Sequence, residues 1–116
     1  MSYNLFLDDE RIPTDVTWEN IPHTVPWMVV HSYDEFVKTV DTLGCPDMVS
    51  FDHDLGDFRR EREMTGLDCA RYLIQFCRNR GIDLPSRYWV HSMSPVGAMN
   101  IRRELFDYER ERAGID

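Results

Sequence analysis

Four short apolar runs punctuate the chain, and each gives way at once to polar or acidic residues. They are YNLFLDD (residues 3–9), WMVVHS (27–32), DMVSFDHD (47–54) and RYWVHS (87–92). Short continuous runs rich in aromatic and β-branched residues predict buried strands. Between them the apolar spacing changes to that of helices. Ser32 is placed to cap a helix carrying Phe36, Val37, Val40 and Leu43, which Gly44 ends with Pro46 just beyond. Thr65 and Asp68 form a capping pair before the stripe Leu67, Ala70, Leu73, Ile74 and Cys77, which runs as far as Gly81. Ser94-Pro95 opens a last helix that buries Ala98, Ile101, Leu105 and Tyr108 and frays after Ala113. Residues 10–26 contain Pro13, Pro22 and Pro26 and hold no sustained period, which predicts a loop with one turn of helix at 17–21. Connections this long inside a compact domain are uncommon and often functional.

Strands alternating with helices predict a parallel sheet with helices packed on it. The expected fold is a small, doubly wound α/β domain of about four strands, a single domain spanning 1–116 that stops after a fourth helix. Right-handed crossovers place all strand C-termini along one edge, and ligands bind at that edge where the strand order reverses. The first run ends in Asp8-Asp9 followed by Glu10-Arg11, the third in Asp52-His53-Asp54, and the fourth in His91-Ser92. Neighbouring strands would bring Asp8, Asp9 and Asp52 within about one strand spacing, roughly 5 Å. Three carboxylates so close cannot all stay ionised without a cation, and an oxygen-rich set favours Mg²⁺ or Mn²⁺. Side chains alternate along a strand, so Asp54 points with Asp52 and His53 points away. Asp54 then either joins the metal set or caps the turn that Leu55-Gly56 completes.

Composition narrows the ligand. A hydrophobic content of 42% rules out a disordered chain, and a net charge of −8 argues against a broad nucleic-acid or membrane surface. It leaves room for a small phosphorylated ligand held through a metal. Lys38 is the single lysine against twelve arginines, and Arg suits bidentate contacts to phosphate. Arg11 and the RRERE stretch that follows the acidic strand end, with Arg59 and Arg60, are therefore candidate phosphate contacts. Cys45, Cys69 and Cys77 form no C-x-x-C pair, and an odd count predicts free thiols in a reducing, cytoplasmic compartment. Cys69 and Cys77 on one helix are poorly placed for a disulfide. The N-terminus lacks the basic start and apolar stretch of a signal peptide, and no run approaches membrane-spanning length.

The motifs NLFLDDER-P, SFDHDLGD, TGLD and VHSMSPVG, in that order over nearly the whole chain, resemble receiver domains of response regulators. They are closer still to the small receiver-like family of cyclic-phosphate-processing receivers. The resemblance implies a receiver-like (flavodoxin-like) fold and a divalent cation held by Asp8, Asp9 and Asp52. In a true receiver Asp52 would accept a phosphoryl group and Ser92 would touch its oxygens. Two departures stand out. Ser94 occupies a position where the family prefers Asn, and the lysine that follows a fifth strand in receivers has no counterpart, since Lys38 lies mid-helix. The activity implied is opening of a cyclic phosphate in a nucleotide or RNA end. Asp52, His91, His53 and Ser92 would do the chemistry, and an imidazole would protonate the leaving alkoxide. The alternative is a non-catalytic module, either a phospho-Asp52 switch or a sponge for a cyclic nucleotide.

Overall fold

A computed structural model describes residues 2–58 and 62–114. Strands β1 (Asn4–Leu7), β2 (Met28–Val30), β3 (Met48–Phe51) and β4 (Arg87–Val90) form one sheet, parallel throughout, in the order β2-β1-β3-β4. Helices α1 (Tyr33–Leu43), α2 (Gly66–Arg80) and α3 (Pro95–Ala113) follow the second, third and fourth strands, so the described residues hold three α-helices where four were expected. The caps are those the residues predict. Ser32 Oγ accepts from the Glu35 amide, Thr65 and Asp68 close a capping box, and Ser94 Oγ accepts from the Gly97 amide. The turn expected at 17–21 is instead a single 3-10 turn at Pro13–Asp15, closed by a bond from the Ile12 amide to the Asp15 carboxylate. Proline fixes the backbone angle that starts such a turn, and that preference decided its place.

The two faces of the sheet are covered differently. Leu5, Leu7, Val49, Phe51 and Val90 pack with all three helices in one core, which includes Phe36, Leu73, Ile101 and Leu105. On the opposite face Phe6 packs with Val16, Ile21, Trp27, Val29 and Trp89, beneath the irregular segment that joins β1 to β2. The direction of winding accounts for this. The chain steps outward from β1 to β2, then reverses past β1 to β3 and β4, and right-handed crossovers change face when direction reverses. The sheet is thus doubly wound, with coil where a helix would cover its second face. Reversal between β1 and β3 opens a crevice at their C-terminal ends. Among the described residues, no helix is long and apolar enough to cross a membrane.

Candidate active site

Strand register puts Leu7, Phe51 and Val90 in one row, facing the helices. Amide bonds from Asp52 to Leu7 and from His91 to Phe51 carry the pairing one residue further. Asp8, Asp52 and His91 therefore form the next row, turned toward the coil-covered face by the alternation of side chains. All three are buried, and one ligating atom from each lies within 4.8 Å of the others.

The two carboxylates of this row are shifted in opposite directions. Asp8 Oδ1 accepts from the amides of Glu10 and Arg11 (both 2.9 Å), and Oδ2 faces His91 Nε2 at 3.0 Å and Arg11 Nη1 at 3.3 Å. Burial pushes this acid up, but the bonds from His91 and the two amides prevail and hold it at about 2. Asp52 Oδ1 accepts only from the His53 amide (2.9 Å), and among the described residues nothing donates to its other oxygen. Burial, with the Asp8 charge alongside, raises Asp52 to about 6. Burial likewise pushes Asp9 above the ordinary carboxylate value, helped by the charges of Glu10 and Asp8.

Behind Asp8 lies an arrangement absent from the sequence reading. His91 is fully buried and stacked flat on Phe6 (centroids 4.5 Å apart, planes 3° from parallel), with Nδ1 2.6 Å from Ser50 Oγ. Ser50 is itself buried in the middle of β3. A hydroxyl inside an otherwise apolar strand demands a partner, and that was the available signal. The Trp18 indole N–H donates to the His91 carbonyl (2.8 Å), and the Arg11 guanidinium lies 5.3 Å over the Trp18 ring. The coil is thereby fastened to the end of β4.

A polar cavity of about 480 Å³ opens over the row. Asp9, Arg11, Asp52, Asp54 and Ser92 line it, so the structure brings these candidates together. Glu63 and Ser94 also reach its wall, and Ser92 Oγ accepts from the Ser94 amide (3.1 Å). Neither candidate histidine belongs to the lining. Both ring nitrogens of His91 are engaged below the cavity floor. His53 turns toward α3, where a Cβ on Gly97 would fall 2.4 Å from its ring, and its Nδ1 pairs with Asp54 Oδ1 at 2.7 Å. Asp54 thus faces the cavity with Asp52, and its carboxylate pairs with the neighbouring imidazole, a partner the sequence did not suggest. Arg59 and Arg60 lie outside the described residues. A groove of about 530 Å³, mostly apolar, runs between β4 and α3, but holds no cluster of carboxylates.

The TGLD motif has a packing role. The Gly66 amide donates to the His53 carbonyl at 2.7 Å, and a Cβ on Gly66 would lie 1.7 Å from the Asp52 carbonyl oxygen. Only glycine lets α2 begin directly against the strand end that carries Asp52.

The model of the cyclic-phosphate processing receiver domain matches residues 3–107. The chain belongs to that family. No curated protein matches this receiver domain. Among solved structures it resembles a fusion carrying residues 181–211 of the trimeric coiled coil of yeast Spc42. The two are 15% identical, with 97% of this chain and 80% of that one covered, and the TM-score of 0.46 adds nothing to the fold described above. The donor set fits a hard divalent cation. Asp9 and Asp52 present oxygens to the cavity, and Asp52 lacks the donors that satisfy Asp8. His91 does not fit as a ligand, because both its nitrogens are occupied.

Proposed function

We propose that this receiver domain is a metal-dependent phosphoesterase that opens a cyclic phosphate in a nucleotide or at an RNA end. The observation that carries this reading is the under-satisfied Asp52, placed with Asp9 and Asp54 on a cavity at the switch point of the sheet. Asp52 and Asp9 would hold the cation, Mg²⁺ or Mn²⁺, with Asp54 and Asp8 beside them. When bound, such a cation supplies Lewis acidity toward a phosphoryl oxygen and acidifies water. The residues of the chain do the rest. Arg11 brings positive charge to the phosphate, while its bond to Asp8 and its stacking on Trp18 limit its motion. Ser92 offers a hydroxyl to a phosphoryl oxygen. As water adds to phosphorus and one ester P–O bond breaks, the departing alkoxide takes up the proton that the water releases. His53, turned toward α3 outside the cavity, is a positioning residue that holds Asp54. His91 is a positioning residue that fixes Asp8 from below.

The test is incubation with Mn²⁺ and a panel of 2′,3′-cyclic, 3′,5′-cyclic and cyclic dinucleotides, followed by mass analysis. Wild-type protein is expected to give ring-opened product, Asp52→Asn to lose at least about a hundredfold in rate, and His53→Ala a smaller factor through Asp54. Product formation undiminished in Asp52→Asn would overturn the reading. A second reading, binding without turnover, is favoured by one observation: no described imidazole lines the cavity. It predicts that bound ligand is recovered intact from the denatured complex.

A further inference from the structure

The structure places two cysteines together at the end of the molecule opposite the cavity. Cys45 follows Gly44, where α1 stops, and Cys77 lies in the last turn of α2. They stand 32 residues apart in sequence, yet their sulfurs are 3.8 Å apart in a direct S–H···S contact. Cys77 is buried, whereas Cys45 is half-buried and open to small reagents. We propose that Cys45 and Cys77 are a reversible oxidation site, closing to an intramolecular disulfide when a peroxide reaches Cys45.

The chemistry balances with hydrogen peroxide as oxidant. The Cys45 thiolate attacks one peroxide oxygen, the O–O bond breaks, and Cys45 becomes a sulfenic acid as hydroxide leaves and takes up a proton to form water. The Cys77 sulfur then attacks the Cys45 sulfur, the S–O bond breaks, and a second water carries off the oxygen and the Cys77 proton. The two thiols lose two electrons in total, and the peroxide gains them. Cys45 is the attacking sulfur because it is the half-buried member that peroxide can reach, and the hydrogen bond from Cys77 lowers its thiol below the ordinary value. Closing the bond brings the sulfurs from 3.8 Å to about 2 Å. Cys69 serves as an internal reference, since it is fully buried and burial raises its thiol well above the ordinary value.

The bridge would close a covalent loop containing β3, Asp52, Asp54 and the start of α2. A closed loop of this length restricts the unfolded chain, so oxidation should stabilise the element that carries one wall of the cavity. The inference does not depend on the proposed catalytic activity.

The full chain is treated with dilute hydrogen peroxide under native conditions, alkylated in denaturant, and mapped by non-reducing mass spectrometry. The expected product is a cross-linked peptide pair holding Cys45 and Cys77, lighter by two hydrogens, with Cys69 fully alkylated. Dithiothreitol should reverse it, and the oxidised monomer should melt several degrees higher. Cys45→Ser, at a half-buried position, should abolish the cross-link. Cys69→Ala should preserve it, so a folding defect from cysteine loss is distinguished from loss of the pair. Oxidation that yields a Cys45-linked dimer, or Cys45 sulfinic acid with Cys77 still free, would overturn the proposal.

Discussion

The two faces of the sheet are built on different principles. The helix-covered face is a continuous apolar core in which Leu5, Leu7, Val49, Phe51 and Val90 meet residues from all three helices. The coil-covered face begins with a smaller apolar patch around Phe6 and ends in a buried polar line from Ser50 through His91 to Asp8. One face therefore supplies most of the hydrophobic stabilisation, and the other holds the chemistry at a fixed geometry. A helix makes its backbone hydrogen bonds internally. The coil leaves donors and acceptors available to the site, as the Asp8 contacts with the Glu10 and Arg11 amides show.

This division predicts a graded series of effects. Phe51→Ala, on the helix side, should cost about 3–5 kcal/mol in denaturant unfolding, while Mn²⁺ affinity measured by calorimetry on the folded fraction stays near wild type. An equally large loss of affinity would mean the faces are not separable. Gly66→Ala probes the seam between them, because the added Cβ would collide with the Asp52 carbonyl. It should cost about 1–3 kcal/mol as the helix start is displaced, and it should weaken cation binding as well. Unchanged affinity in that variant would show that Asp52 does not depend on where α2 begins.

Asp52→Asn should do the opposite to stability. The native acid titrates at about 6 against an ordinary 3.8, so ionising it costs the fold, and the metal-free protein loses stability as pH rises from about 4 to about 6. Removing that charge should stabilise the metal-free protein by about 1 kcal/mol at pH 7.5, allowing for water that reaches the carboxylate through the cavity. The gain should vanish below pH 4, where both states hold the proton. Asp8 runs the other way, since its value of about 2 means its contribution is lost only as pH falls from about 4 toward 2. Thermal melts from pH 2 to pH 8 with EDTA present check both signs. Trp18→Phe, which loses the bond to the His91 carbonyl, should cost about 0.5–1.5 kcal/mol. Arg71→Ala, which breaks an exposed pair with Glu104 on the helix side, should change unfolding free energy by less than about 0.5 kcal/mol.

Much of the site was legible in the chain because its signals are local. Apolar runs ending in acids marked the strand ends, capping residues marked the helix starts, and side-chain alternation separated Asp52 and Asp54 from His53. What escaped depended on partners distant in sequence. The line from Ser50 to His91 to Asp8 requires three strands in register, which no local pattern encodes, although the polar residue inside MVSF was a clue. Alternation put His91 at a strand end but not beneath the cavity floor. The closeness of Cys45 and Cys77 follows from helix packing, and only the unsuitable pairing of Cys69 with Cys77 could be judged from spacing. The close approaches at Gly66 and Gly97 are likewise set by where α2 and α3 dock on the strand end.

Placing coil on one side and helices on the other also divides the chromophores. Trp27 and Trp89 lie within 6.2 Å of each other, centroid to centroid, on the coil face, and Trp18 is tied to the end of β4 above the same face. Tyr33, Tyr72 and Tyr108 sit among the helices. Indole emission from the unmodified protein therefore reports the half that carries the cavity, while tyrosine signals in the near-ultraviolet report the half that stabilises it. A titration can follow each half in one sample with no added label.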